Sequence, residues 1–170
     1  MQTTNALKIP EEMGPPQAII GAATADDGGR LIIESRFGSL AISTNSRLEF
    51  PSGLLGFAEF SNYALAQLDD PRFPQFKVLQ SLNDHQLAFL VLPLDPEAGF
   101  IERADLDAAC NTLSINYQDL AIMLVVTARK THDGPRVTAN LRAPLMIDAS
   151  SRVGMQYVLH NERYPVRFQL

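Results

Sequence analysis

Apolar residues recur along this chain in short alternating or continuous stretches, and in one place only at helical spacing. The densest stretch is residues 121–126, Ala-Ile-Met-Leu-Val-Val. It is too short for a membrane span and rich in Val and Ile, so it reads as a strand buried on both faces. Asp133-Gly134 then marks a turn, and Pro135 closes off a helical option. Beyond it Val137, Ala139, Leu141, Ala143 and Leu145 alternate with Thr138, Asn140, Arg142 and Pro144. Strand side chains have a period of two, so one face is core and the other polar. Pro144 cannot donate a ladder hydrogen bond, which places this strand at an edge or gives it a bulge. An edge strand with a polar face is suited to docking another protein.

The other elements follow from the same pattern. Residues 31–33 and 40–42 flank Gly38-Ser39 as a first hairpin, and residues 47–50 form a further short strand. Phe50-Pro-Ser-Gly-Leu-Leu-Gly-Phe57 is an anchored loop whose Gly53 and Gly56 call for positive φ or close backbone approach. Residues 63–68 form a strand, and residues 76–82 and 86–94 form a second hairpin around Asn83-Asp84-His85. Leu106, Ala109, Cys110 and Leu113 fall at i, i+3, i+4 and i+7, a short helix near 105–113 capped by Asp105. Residues 155–159 and 164–168 alternate again. Short antiparallel strands with one helix predict an all-β, barrel-like or sandwich domain spanning 30–170. Residues 1–29, rich in Pro and Gly and poor in large apolar side chains, are expected to form a disordered extension. Ala18-Ile-Ile20 within them is a minor candidate for a docking motif.

Composition narrows the functional classes. The chain has 170 residues, 46% hydrophobic and 19% charged, as ordinary globular domains do. Its net charge of −5 divides into −3 for residues 1–29 (one Lys, four acids) and −2 for the rest. No basic surplus points to nucleic acid. Cys110 is the single cysteine, on the apolar stripe of the helix, which fits a small core residue better than a nucleophile. The N-terminus lacks a basic and apolar leader, and no apolar run approaches the roughly 20 residues of a spanning helix, so a cytoplasmic protein is expected. His85, His132 and His160 are widely separated and without metal-ligand spacing. Neither a nucleophile elbow nor a phosphate loop is present. No cofactor, metal or membrane span is therefore expected. A Ser–His–Asp site assembled by folding stays open, since its members need not be local in sequence, but nothing specific supports one. The alternative is a nucleic-acid-binding small β-barrel, since Arg129, Lys130, Arg136 and Arg142 cluster along the central hairpin. Against it, there is no Trp, and most aromatics sit at positions that suit a core.

Thr138-Ala-Asn-Leu-Arg-Ala-Pro-Leu-Met-Ile-Asp148 closely resembles the TANL-x-AP-hydrophobic signature of the FliW-type flagellar assembly factors. Phe50-Pro-Ser-Gly-Leu-Leu-Gly-Phe57 is similar to that family's F-x-x-G-L-P-G-F loop. Leu79-Gln-Ser81, Leu87-Ala-Phe89, Gln156-Tyr-Val-Leu-His-Asn161 and Arg163-Tyr164 match further segments in the same order. The resemblance covers about residues 31–170. Leu55 departs from it by replacing the usual Pro, which implies a less rigid loop. The ending Val166-Arg-Phe-Gln-Leu170 also differs from the usual His-Pro-Leu, and residues 1–29 have no counterpart.

The resemblance implies a regulator and not an enzyme, with no small-molecule substrate, and the free chain is expected to be monomeric. Such factors bind flagellin in the cytoplasm and also bind CsrA, a small dimeric repressor of flagellin translation. When flagellin is exported, the freed factor sequesters CsrA, away from its RNA-binding face, and translation resumes. The chain's own alternation places Asn140 and Arg142 opposite the core as candidate partner contacts. Asn140 has the groups to satisfy a backbone amide and carbonyl, and Arg142 to pair with a carboxylate. The competing reading has Asn140 bonding a neighbouring loop and fixing the bulge near Pro144. Gly53, Gly56 and Phe57 are expected to be mainly structural and secondarily to shape a partner groove.

Overall fold

A computed structural model describes residues 24–25 and 30–170. The expected disorder of 1–29, and the candidate motif at 18–20, otherwise lie outside the described residues. Thr24–Ala25 (β1) pairs with Leu31–Ser35 (β2), which pairs with Gly38–Ile42 (β3) in a small sheet. The larger sheet comprises β4 (Arg47–Glu49), β5 (Asn62–Gln67), β6 (Lys77–Ser81), β7 (Ala88–Leu94) and β8 (Leu120–Thr131). It continues with β9 (Gly134–Ala139), β10 (Leu145–Asp148), β11 (Val153–Gln156) and β12 (Phe168–Gln169).

The strand pairing closes on itself. From β4 it runs antiparallel through β5, β6, β7 and β8, then to β10 and β11. β11 returns to β4 through a parallel bridge, Val153 to Glu49. The all-β, barrel-like expectation is borne out, with β9 and β12 as an extension of the ring.

Closure explains why the central strands are apolar on both faces. Phe50, Leu54, Tyr63, Leu79, Val91, Met123, Leu145 and Ile147 pack together as one core. On the other face Leu90, Ile122, Leu124, Val126 and Met146 pack with Leu106, Ala109 and Cys110 of helix α1 (Arg103–Leu113). Elsewhere the β2–β3 hairpin supplies the cover, as Ile33, Leu40 and Ile42 meet Ala64, Ala66, Val78 and Ala88. Side chains on both sides of the sheet thus leave water, the main source of stability in such a fold. The uninterrupted run at 121–126 is the record of that double burial.

Several boundaries differ from the sequence pattern. The turns of the β2–β3 and β8–β9 hairpins are Arg36-Phe37 and His132-Asp133, not Gly38-Ser39 and Asp133-Gly134. Gly38 and Gly134 instead open the return strands, with φ of 99° and 113°. None of the four turn residues has positive φ, which excludes the mirror-image turns and fits a type I turn followed by a glycine bulge. Helix α1 starts at Arg103 after Glu102, so Asp105 lies in its first turn and not at its cap. The alternating run 137–145 is not one strand: β9 ends at Ala139 and β10 begins at Leu145. Alternation continues through Asn140–Pro144 only as a pattern of burial. The strands expected over 155–159 and 164–168 shrink to β11 and β12, with irregular chain between them.

Candidate functional site

The interval between β9 and β10 is a knot. β9 and β10 both pair with β8 on the same side, and the chain leaves that ladder between them. The Asn140 amide still donates to Val125 O at 2.9 Å, and Leu141 N–H donates to Pro165 O at 3.1 Å. Arg142 O and Pro144 O accept from Leu159 N and Tyr157 N at 2.8 and 3.0 Å. The backbone groups freed from the sheet are thus taken up by residues 157–165, as buried polar groups must be. The edge expected at Pro144 is covered, and Pro144 itself is buried.

The two side chains singled out there both turn inward on the protein's own backbone. Asn140 Oδ1 accepts from Ala143 N–H at 3.0 Å, closing the loop upon itself. Arg142 Nε donates to Tyr164 O at 2.9 Å and its terminal nitrogen to Glu162 O at 3.1 Å. The planar guanidinium suits this fork between two carbonyls in a way that a lysine ammonium does not. The competing reading has Asn140 bonding a neighbouring loop; the bond its side chain accepts comes instead from Ala143 of its own loop, beside Pro144. What Arg142 holds is also gripped from the other side. Tyr164 OH accepts from Glu102 N–H at 3.0 Å and donates to Asp105, while Arg163 pairs with Glu102. Burial and the Asp105 hydrogen bond raise the Tyr164 pKa, so the hydroxyl stays a donor at neutral pH.

The loop 50–57 is anchored at both ends, as its two phenylalanines predict. Phe50 meets the buried Tyr63 edge-on at 5.6 Å, and Phe57 meets Phe89 edge-on at 5.3 Å. Burial, with a contribution from Glu59, pushes the Tyr63 phenol up to about 12. Gly53 adopts φ 64°, and a Cβ there would lie 2.4 Å from Phe57 O and 2.6 Å from Ala58 Cα. Gly56 adopts φ 87° with open space around it. The two glycines therefore answer different demands, close approach plus conformation at Gly53 and conformation alone at Gly56. Phe57 N–H donates to Leu54 O at 2.8 Å, closing a turn with Gly56 at its third position.

Sequence reasoning missed the residue that joins the two loops. Gln156 Oε1 accepts from Leu55 N–H at 2.9 Å, and Gln156 Nε2 donates to Ala143 O at 3.2 Å. One amide thus bridges residue 55 to residue 143. A proline at 55 has no N–H to offer, so the Leu55 departure supplies a bond and not only a loss of rigidity. The available signal was the lone polar position in Val153-Gly-Met-Gln156, at the end of a strand that closes the barrel. Leu55 itself is 58% exposed, beside this joint. The structure brings Gly53, Gly56 and Phe57 into one loop, and Asn140 and Arg142 into another, with Gln156 between them.

The remaining matched segments are joints as well. Buried Gln80 donates through Nε2 to Asp84 O, His85 O and Leu87 O at 3.1–3.3 Å. Ser81 Oγ accepts from Asn83 N and Asp84 N. Among the described residues no group of three His, Cys, Asp or Glu could hold a metal ion, and no helix is long and apolar enough to cross a membrane. Burial raises the pKa of Cys110, which opposes the thiolate form.

Comparisons of sequence and of structure with known proteins lead to one family. A profile of the family described as FliW protein matches residues 31–170. A flagellar assembly factor FliW from Syntrophus aciditrophicus is 34% identical over 140 residues, covering 82% of this chain and 86% of its own length. Its namesake from Leptospira biflexa is 32% identical over 133 residues, with 77% and 84% covered. The crystal structure of a flagellar assembly factor FliW superposes with a TM-score of 0.62 at 29% identity, over 81% of this chain and 95% of that one.

Proposed function

This chain belongs to the FliW family of flagellar assembly factors, and from that premise we propose that it regulates flagellum assembly without catalysis. It binds flagellin in the cytoplasm and, when freed by flagellin export, sequesters CsrA so that flagellin translation resumes. The observation that carries this reading is the family match over residues 31–170, which spans the described barrel and its signature loops. A switch of this kind needs two partners whose binding is linked, so that one ligand shifts the protein's availability to the other.

The partner face of this proposal is the junction of loops 50–57 and 140–144. Asn140 and Arg142 give the junction its shape through internal hydrogen bonds, and the exposed Leu55 offers it an apolar contact. Gly53, Gly56 and Phe57 hold Leu55 in place. The test is calorimetric titration of the full chain with flagellin and, separately, with CsrA, both from the same organism. Saturable binding to each supports the proposal. Binding to flagellin alone removes the translational half of it, and binding to neither defeats it.

A further inference from the structure

Arg129, Lys130 and Arg136 of the basic hairpin lie outside the junction of loops 50–57 and 140–144. β8 is longer than its neighbour: its pairing with β7 ends at Val126, opposite Leu90. From Thr127 to Thr131 it pairs only with β9, ending at Thr131 opposite Gly134. Among the described residues no strand pairs with the other edge of this segment. On the far side of β9, β12 pairs with Thr138 and Ala139, and Leu170 N–H and Gln169 Nε2 donate to Val137 O. The result is a two-stranded arm beyond the ring, open along β8 from Thr127 to Thr131 and, nearer the tip, along β9 at Gly134, Pro135 and Arg136, where the proline has no N–H to offer.

The arm's charge is unusual for this protein. Residues 127–138 carry Arg129, Lys130 and Arg136 against Asp133, +2 in a chain of −5. Arg129 stands directly opposite Arg136 across the ladder, a pairing that works against stability in a hairpin. All three basic side chains are exposed, and none has a carboxylate within ion-pair distance among the described residues. Asp133 faces His132 at 3.6 Å. Period two puts Thr127, Arg129 and Thr131 on one face with Thr138 and Arg136 from β9. The face is wholly polar and cationic beside an unpaired strand edge.

We propose that this arm is a docking site for an extended acidic peptide, which adds as a strand to the free edge of residues 127–131 and neutralises Arg129 and Arg136. Strand addition supplies main-chain hydrogen bonds, and alternate carboxylates on the added strand meet the cationic face. The two arginines that oppose each other in the free arm then share a counter-charge. This inference does not depend on flagellin or CsrA being the partner.

The test uses the full chain and a short fluorescent peptide of alternating Glu and Val, followed by anisotropy at low and moderate salt. Saturable binding is expected, weakening with salt and about tenfold weaker in the Arg129→Thr/Arg136→Thr double variant. The same peptide with alternate amides N-methylated keeps its charge but cannot pair with an edge, and it is expected to lose binding. Thermal unfolding of the double variant checks that the arm's host is intact. Equal binding by the double variant, or by the methylated peptide, overturns the proposal. So does tighter binding of a uridine oligomer of matching length, which would make the arm a nucleic-acid contact. Aggregation of the double variant with unchanged peptide affinity would overturn it too, reducing the arginines to guards against edge pairing.

Discussion

Arg142 and Arg136 lie on the same return segment, yet only one of them is used by the fold. Arg142 spends its donors on two backbone carbonyls and holds residues 162–164 against the barrel. Arg136 faces Arg129 across an exposed ladder with no counter-ion among the described residues. The first lies in the segment that carries the family signature; the second lies outside it. The contrast teaches that a signature arginine can be a structural tie, while an arginine outside any motif is the one left free to meet a partner.

Substitutions in the knot and in loop 50–57, which Gln156 joins to it, should therefore cost stability, and those in the arm should not. The largest effect is expected at Gly53→Ala, where a Cβ meets backbone and the φ of 64° is unfavourable. We expect about 3 kcal/mol or more of destabilisation by chemical denaturation. Gly56→Ala sharpens the point, since with open space only the conformational cost of about 1–2 kcal/mol applies. Next comes Arg142→Ala, expected to lose about 2 kcal/mol by releasing two charge-assisted hydrogen bonds. Arg142→Lys should restore little of it, because an ammonium cannot reproduce the fork. Were Arg142→Ala as stable as the parent, the tie would not matter to the fold.

Gln156→Ala follows, at about 1 kcal/mol, since Leu55 N–H lies at an exposed position and finds water readily. Its affinity for either partner should fall further than its stability does, if the joint orients Leu55. The smallest effect is Arg129→Thr, expected within about 0.5 kcal/mol of the parent and on the stabilising side, because a like-charge pair is removed. A clear loss of stability there would collapse the contrast between arm and knot.

Much of the fold was legible in the sequence, for identifiable reasons. The run 121–126, the hairpin of β6 and β7 and the apolar stripe of α1 have periodicities that tertiary context reinforces. Gly53 and Gly56 were legible because positive φ narrows the choice of residue. The knot was not, because the alternation of Val137 to Leu145 records burial on either side of the chain and not ladder pairing. Leu141 and Ala143 are buried as a strand would bury them, yet their neighbours bond to residues 156–165. No local pattern reports a partner twenty residues away. The same limit hid Gln156, whose two bonds reach residues 55 and 143. The hairpin turns moved because a glycine that follows a type I turn reads, in sequence, like one at its centre.

The proposed switch exchanges one protein partner for another. Its most direct measurement is competition: the full chain saturated with labelled flagellin, then titrated with CsrA while bound flagellin is followed by anisotropy. We expect each partner to displace the other, with a midpoint that moves with the concentration of the first. A stable ternary complex with flagellin still bound, or CsrA that neither binds nor displaces, would contradict it.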